Sequence, residues 1–273
     1  MRSIAKLMKD WQFTGPNGVT TAVELPHTWN AKDGQDGGND YWRGCCTYCT
    51  RFAAPVYDPA QQQVWLQFEG VNASAAVLLN GQQLCTHDGG YSTFRAEVTE
   101  LLQAENQLTV RVDNSVNDRV YPQKADFTFY GGIYRDVSLL VVNKNHIALG
   151  HFGDTGVKIT PALQENSADI RVETLVEGSG TVTVELLDAE GRTVAKGEGE
   201  NTFLHLDAPH LWNGVKAPYL YTCVVRLLQD GQPVDEVTTR VGLRSFSVDA
   251  MCAVCPSSCS PSAPARRRAR RPA

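Results

Sequence analysis

Apolar and polar residues alternate along much of this chain. In "QVWLQFEG" (63–70), "SAAVLLNG" (74–81) and "QLTVRVDN" (107–114), every second position is apolar, and turn residues close each run. A period of two is that of a β-strand, because successive side chains point to opposite faces. "DVSLLVVN" (136–143) is equally rich in β-branched and apolar residues and also predicts a strand. A second series follows: "ADIRVETLVEG" (168–178), "GTVTVELLDAEGRTVAKGEG" (180–199), "NTFLHLDA" (201–208) and a long run from 220 to 248. Gly, Asp-Gly or Pro signals punctuate it about every ten residues, a spacing that suits an immunoglobulin-like sandwich. Asn80-Gly81 fits a type I′ hairpin turn, since both residues tolerate positive φ. Only "RAEVTELLQ" (95–103) offers a helix.

The pattern predicts an all-β chain of two sandwiches, at 1–145 and 146–250, followed by a tail at 251–273. The tail differs in material: "MCAVCPSSCSPSAPARRRARRPA" holds five arginines and no acid. With little to bury, it is expected to be disordered. Without it, 20 basic residues face 30 acidic ones, so the body carries −10 rather than the −5 of the whole chain. An acidic body argues against nucleic acid as a partner. There is no apolar run near the length of a membrane span and no Gly-rich phosphate loop. The start, "MRSIAKLMKDWQF", lacks the continuous apolar stretch of a secretory signal. Eight cysteines are present, with Cys45, Cys46 and Cys49 crowded on one strand-like segment. Reduced thiols and a cytoplasmic location are the expectation. Cys252, Cys255 and Cys259 have part of a metal-like spacing but no convincing fourth ligand, so neither a metal nor a cofactor is expected.

An ordered set of stretches over residues 10–250 carries a family resemblance. "LPHTWN" (25–30) is followed by "YWRGCCTYCTRF" (41–52) and "WLQFEGVNASAAVLLNGQQLCTHDGGYSTF" (65–94). "NQLTVRVDN" (106–114) and "YGGIYRDV" (130–137) complete the first half. "LWNGVKAPYLYTCVV" (211–225) and "VGLRSFSVDA" (241–250) mark the second. The chain resembles the front part of glycoside hydrolase family 2, the β-galactosidases and β-glucuronidases. The resemblance implies a sugar-binding jelly roll followed by an immunoglobulin-like domain. It also implies a retaining β-glycosidase activity for the full-length family, whose members are often homo-oligomers, with a β-glycoside as ligand.

Retention needs two carboxyl groups about 5 Å apart. In the family both are glutamates on a (β/α)8 barrel, which takes about 250 residues. These 273 residues leave no room for it after the sandwiches, so no catalytic residue is assigned and the chain alone is expected to be inactive. The switch to "MCAVCPSSCSPSAPARRR" reads either as translation out of frame or as a genuine basic tail. A stand-alone carbohydrate-binding module is the competing function.

Two substrate-binding residues are implied by the resemblance. Asp126, in "DFTFYGGIYRDV" (126–137), stands where the β-galactosidase branch has an acid that reaches the sugar. An ionised carboxylate is a strong acceptor for hydroxyls. Asn30 closes "LPHTWN", and its amide can donate and accept at once, as a vicinal diol requires. Both are expected to be at least partly exposed, with side chains that converge. The plainer alternatives are a loop-capping Asp and a turn Asn. His27 and Trp29 are expected to pack, Arg135 and Asp136 to make structural pairs, and 88–91 to form a glycine turn. Gly131 and Gly132 allow a sharp turn with no Cβ in the way.

Overall fold

The computed structural model describes residues 1–31, 41–121, 128–247 and 255–256. The first strands are β1 (Ser3–Lys6), β2 (Trp11–Thr14), β3 (Thr20–Val23), β4 (Cys45–Ala53), β5 (Gln62–Phe68), β6 (Val71–Asn72) and β7 (Ser74–Leu79). Then come β8 (Gln82–Asp88), β9 (Phe94–Glu97), β10 (Glu105–Asp113), β11 (Gly132–Ile133), β12 (Val137–Asn143) and β13 (His146–Ile147). The second series is β14 (Val157–Leu163), β15 (Ser167–Thr174), β16 (Val176–Glu177), β17 (Thr181–Leu187), β18 (Thr193–Glu198), β19 (Asn201–Asp207), β20 (Tyr221–Gln229) and β21 (Gln232–Val241). Short strands β22 (Phe246–Ser247) and β23 (Cys255–Pro256) pair with each other. Among the described residues the helical segments are two single 3-10 turns, Thr99–Leu101 and Gly214–Lys216.

Two compact units result. The first holds Met1–Gly156, Val176–Ser179 and Pro233–Asp235; the second holds Val157–Leu175, Gly180–Gln232 and Glu236–Ala273. Unit 1 has a six-stranded sheet ordered β3-β2-β4-β10-β7-β8 and a four-stranded sheet ordered β1-β12-β5-β9. The alternating runs supply the core. Tyr48, Val77, Leu79, Val110 and Val112 of the first sheet and Val64, Leu66, Phe68, Val137 and Leu139 of the second share one buried cluster.

Strand β12 departs from alternation, and the structure explains why: its first six residues are all buried. Val137, Leu139 and Val141 face the main core, while Leu140 and Val142 join Leu149 and Trp65 in a second cluster. A strand covered on both faces has no need of polar positions. Asp235 ties down the covering segment: its Oδ2 accepts from Ile147 N at 2.8 Å and from Arg2 Nη2 at 2.6 Å. At the other end of β7, Asn80 (φ 52°) and Gly81 (φ 84°) form the expected hairpin turn. The segment 95–103, where a helix is expected, forms β9 and the turn Thr99–Leu101 instead. Phe94 stacks on Phe68 and Val98 is buried, so pairing with β5 overrides the local helix preference.

Unit 2 is a smaller sandwich of a three-stranded sheet (β14-β15-β19) and a four-stranded sheet (β18-β17-β20-β21). Ile170, Val172, Val184, Leu186, Leu204, Val225 and Leu227 are among its buried residues from the alternating runs. Cys223 lies among the buried residues too, and burial pushes its thiol up to about 11.

Candidate functional site

One cluster of loops in unit 1 is held together by buried asparagines. Asn30, in the loop after β3, is 0% exposed. Its Nδ2 donates to Trp42 O at 2.8 Å. Its Oδ1 accepts from Gly131 N at 2.8 Å and from Asn114 Nδ2 at 3.0 Å. Asn114, the residue after β10, is also fully buried. It donates to Phe129 O at 2.9 Å and accepts from Gly44 N at 2.8 Å. Asn72, in β6, donates to Tyr130 O at 2.7 Å. Three amides therefore fix the loops at 28–31, 41–44 and 128–132 relative to the ends of β6 and β10. Each amide reads backbone groups that would otherwise be left unpaired in a buried place.

The adjacent glycines in 130–137 now have a reason. A Cβ on Gly131 would enter the Trp29 indole, and a Cβ on Gly132 would enter His27 O. Gly132 also has a φ of 140°, which side chains rarely adopt. The loop is pressed onto "PHTWN", and Thr28 Oγ1 completes the contact by donating to Gly131 O at 2.8 Å. Beneath it, Trp29 stacks on Phe13 with ring centroids 6.0 Å apart. His27 Nδ1 lies 2.7 Å from Tyr48 Oη. Burial lowers the His27 pKa and raises that of Tyr48.

Arg43 forms the rim of this cluster. Its Nε donates to Asn114 O at 2.7 Å, and its guanidinium lies over the Phe129 ring, 4.9 Å from the centroid. Beside it a recess is lined by Asn72, Tyr91, Asn117, Tyr121 and Phe129.

The expectations for individual residues divide. Asn30 is placed in this cluster, but it is buried rather than partly exposed, because its amide holds backbone and neighbouring side chains. Asp126 lies outside the described residues. His27 and Trp29 pack, as their aromatic neighbours show. Asp136 pairs with Lys6 at 2.6 Å, and Arg135 donates to Glu69 O and Tyr91 O. Asn72, Asn114 and Arg43 were not singled out from sequence. Asn114 carried a signal all the same: a carboxamide at the end of an alternating strand, directly before a loop.

Comparison with known proteins places this architecture. The profile of the Glycosyl hydrolase 2 galactose-binding domain-like family matches residues 37–163. That of Glycosyl hydrolases family 2 matches residues 151–244. This chain belongs to glycosyl hydrolase family 2.

Among the relatives of this family 2 chain is a β-glucuronidase of Bacteroides fragilis, 33% identical over 265 residues, which cover 89% of the chain and 38% of that protein. A β-galactosidase of Bacteroides ovatus is 32% identical over 282 residues, covering 88% of the chain and 31% of that protein. The crystal structure of an FMN-binding β-glucuronidase from F. prausnitzii L2-6 superposes with a TM-score of 0.88 at 34% identity, over 94% of this chain and 42% of that one. The chain thus spans about a third of the length of the curated relatives it matches. Among its described residues there is no α-helix, and so no (β/α)8 barrel.

Proposed function

We propose that this chain supplies the two β-sandwich domains that accompany the catalytic barrel of a retaining β-glycosidase acting on β-glucuronides or β-galactosides. The observation that carries this reading is the continuous match to a β-glucuronidase across 265 residues that make up only 38% of that protein. The asparagine-tied loops are the part of unit 1 best suited to form one edge of a sugar site. They are rigid, and their backbone is fixed to the ends of sheet strands, which is what a binding constellation requires. In this reading Asn30 acts by positioning the loop 128–132. Asp126, five residues before Gly131 in the sequence, is the carboxylate offered to sugar hydroxyls. The barrel is the partner and holds the acid/base and the nucleophile.

The test has two stages. The 273-residue chain alone is expected to release no nitrophenol from nitrophenyl β-glucuronide or β-galactoside. Joined in frame to the barrel of a family 2 relative, it is expected to support turnover that the barrel alone does not give. In the joined protein, Asp126→Ala is expected to lower kcat/KM about 10- to 100-fold, the loss of a charged hydrogen bond worth about 1.5–3 kcal/mol. Turnover by the chain alone, or a barrel that gains nothing from being joined, would overturn the reading.

A further inference from the structure

We propose that Asn213 is a site of covalent self-modification, in which attack by the Gly214 nitrogen expels the side-chain amide and leaves an isoaspartate in the loop 211–217. The inference concerns unit 2 and does not rest on the glycosidase reading. The chain holds three Asn-Gly pairs, at 17–18, 80–81 and 213–214. A glycine after asparagine favours this reaction, because no Cβ shields the attacking nitrogen. By that chemistry the three pairs are alike, and the fold separates them.

Asn80 is locked. Its Nδ2 donates to Leu101 O and to Asn106 Oδ1, each at 3.0 Å, and its Oδ1 accepts from Gln107 N at 2.9 Å. At the first pair both reacting groups are engaged. Asn17 Oδ1 accepts from Val19 N at 3.1 Å, and Gly18 N, the attacking atom, donates to Gly15 O at 3.1 Å. Asn213 differs. It is exposed, and its side chain makes no hydrogen bond among the described residues, nor does Gly214 N donate to any of them.

Asn213 has a φ of −128° and a ψ of 53°. Main-chain bonds close the turn around it: Asn213 N donates to Ala217 O at 2.8 Å, and Lys216 N donates to Asn213 O at 3.2 Å. Val215 is 100% exposed, and Lys216, Ala217 and Pro218 are exposed too. Opening the turn therefore uncovers few buried contacts, and it frees ψ to swing Gly214 N toward Asn213 Cγ.

The step balances without a cofactor. Gly214 N bonds to Asn213 Cγ, the amide C–N bond breaks, and ammonia leaves with the Gly214 proton. Water then opens the cyclic imide. Opening at the main-chain carbonyl routes the chain through the former side chain and frees the old carbonyl as a carboxylate. That carbonyl is the acceptor for Lys216 N and Ala217 N, so the turn loses its closure. The new negative charge lies one residue from Trp212, whose ring carries the Arg244 guanidinium at 4.3 Å.

The intact chain is held in mildly alkaline buffer, with and without denaturing urea, and sampled by peptide mass spectrometry with isoaspartate methyltransferase labelling. In the folded chain Asn213 should convert at least ~5-fold faster than Asn17 or Asn80, the rate factor of one hydrogen bond's net worth. In urea the three rates should draw together. The converted chain, separated by anion exchange, should melt a few degrees lower than the unconverted one, whereas Asn213→Gln aged alike should keep its melting temperature. Conversion of Asn17 or Asn80 as fast as Asn213, the same ranking in urea as in buffer, or a folded chain that stays intact at 213 while the unfolded one converts would each overturn the inference. Equal melting of the two forms would overturn the loosening of the turn.

Discussion

The two sandwiches place their polar side-chain interactions differently. In unit 1 the amides of Asn30, Asn72 and Asn114 are buried and bind loop backbone. In unit 2 the buried Asp188 and Thr202 bond backbone at two turns, but most of the comparable contacts lie across exposed sheet faces. Arg226 bridges Glu185 and Glu236, His205 sits between Asp169 and Asp207, and Arg192 holds Asp188 and Glu190. Buried amides have no water to fall back on, so they dictate where a loop goes. Surface ion pairs exchange with solvent and dictate little. Unit 1 thus has over-determined loops, as a site needs, whereas unit 2 has the features of a scaffold.

Removing one amide should show the contrast at its largest. Asn114→Ala leaves the buried Gly44 N without its acceptor and takes one bond from Phe129 O and from Asn30 Oδ1, the latter keeping Gly131 N. At about 1–3 kcal/mol for the unsatisfied buried N–H and about 1 kcal/mol for each bond lost, a destabilisation of about 2 kcal/mol or more is expected. Urea denaturation measures it, and a loss under about 1 kcal/mol would mean that water replaces the amide. Gly131→Ala comes next. The added methyl meets the Trp29 indole, and overpacking of this kind costs about 1–3 kcal/mol. A neutral result by the same measurement would show that Trp29 can move aside. In unit 2, Arg226→Gln removes two contacts, of 2.6 and 2.7 Å, from a side chain 34% exposed. Solvent screening limits each to at most about 1 kcal/mol, and a melting shift of only a few degrees is expected.

The smallest effect is one of sign. The Asp169 and Asp207 carboxylates raise the His205 pKa above its ordinary value of 6.5. Its contribution to stability is therefore complete below 6.5 and is lost as pH rises through the higher folded value. His27 behaves in reverse: burial lowers its pKa, so its contribution is complete above 6.5 and is lost as pH falls towards the lower folded value. Imidazole resonances followed by NMR from acid to neutral pH should titrate on opposite sides of 6.5. Both midpoints on one side would remove the distinction.

Much of this was legible in the sequence, for physical reasons. Alternation exposed the core strands because each has one wet face, and Asn80-Gly81 declared its turn by chemistry. The set of family-like stretches led to the loops at 28–31 and 128–132. The burial of Asn30 was not legible. A carboxamide before a glycine-rich loop looks like a turn residue until Trp42, Asn114 and Gly131 are brought around it from 12, 84 and 101 residues away. Arg43 was hidden for a similar reason, since its place over Phe129 and against Asn114 O is a property of space. The helix expected at 95–103 failed where a neighbouring strand, β5, offered pairing that local preference could not anticipate.

Within unit 1, the carboxylate of Asp235, in β21, holds the second residue of the chain. This sets an order of events on the ribosome. When Gly156 has been made, the continuous part of unit 1 is complete, but the acceptor for Arg2 and Ile147 N–H lies 79 residues ahead. At about 5–20 residues per second, that acceptor arrives about 4–16 s later. For that interval the nascent jelly roll has its main core but not the tie over its second cluster, so the outer face of β12 is where a chaperone would find it.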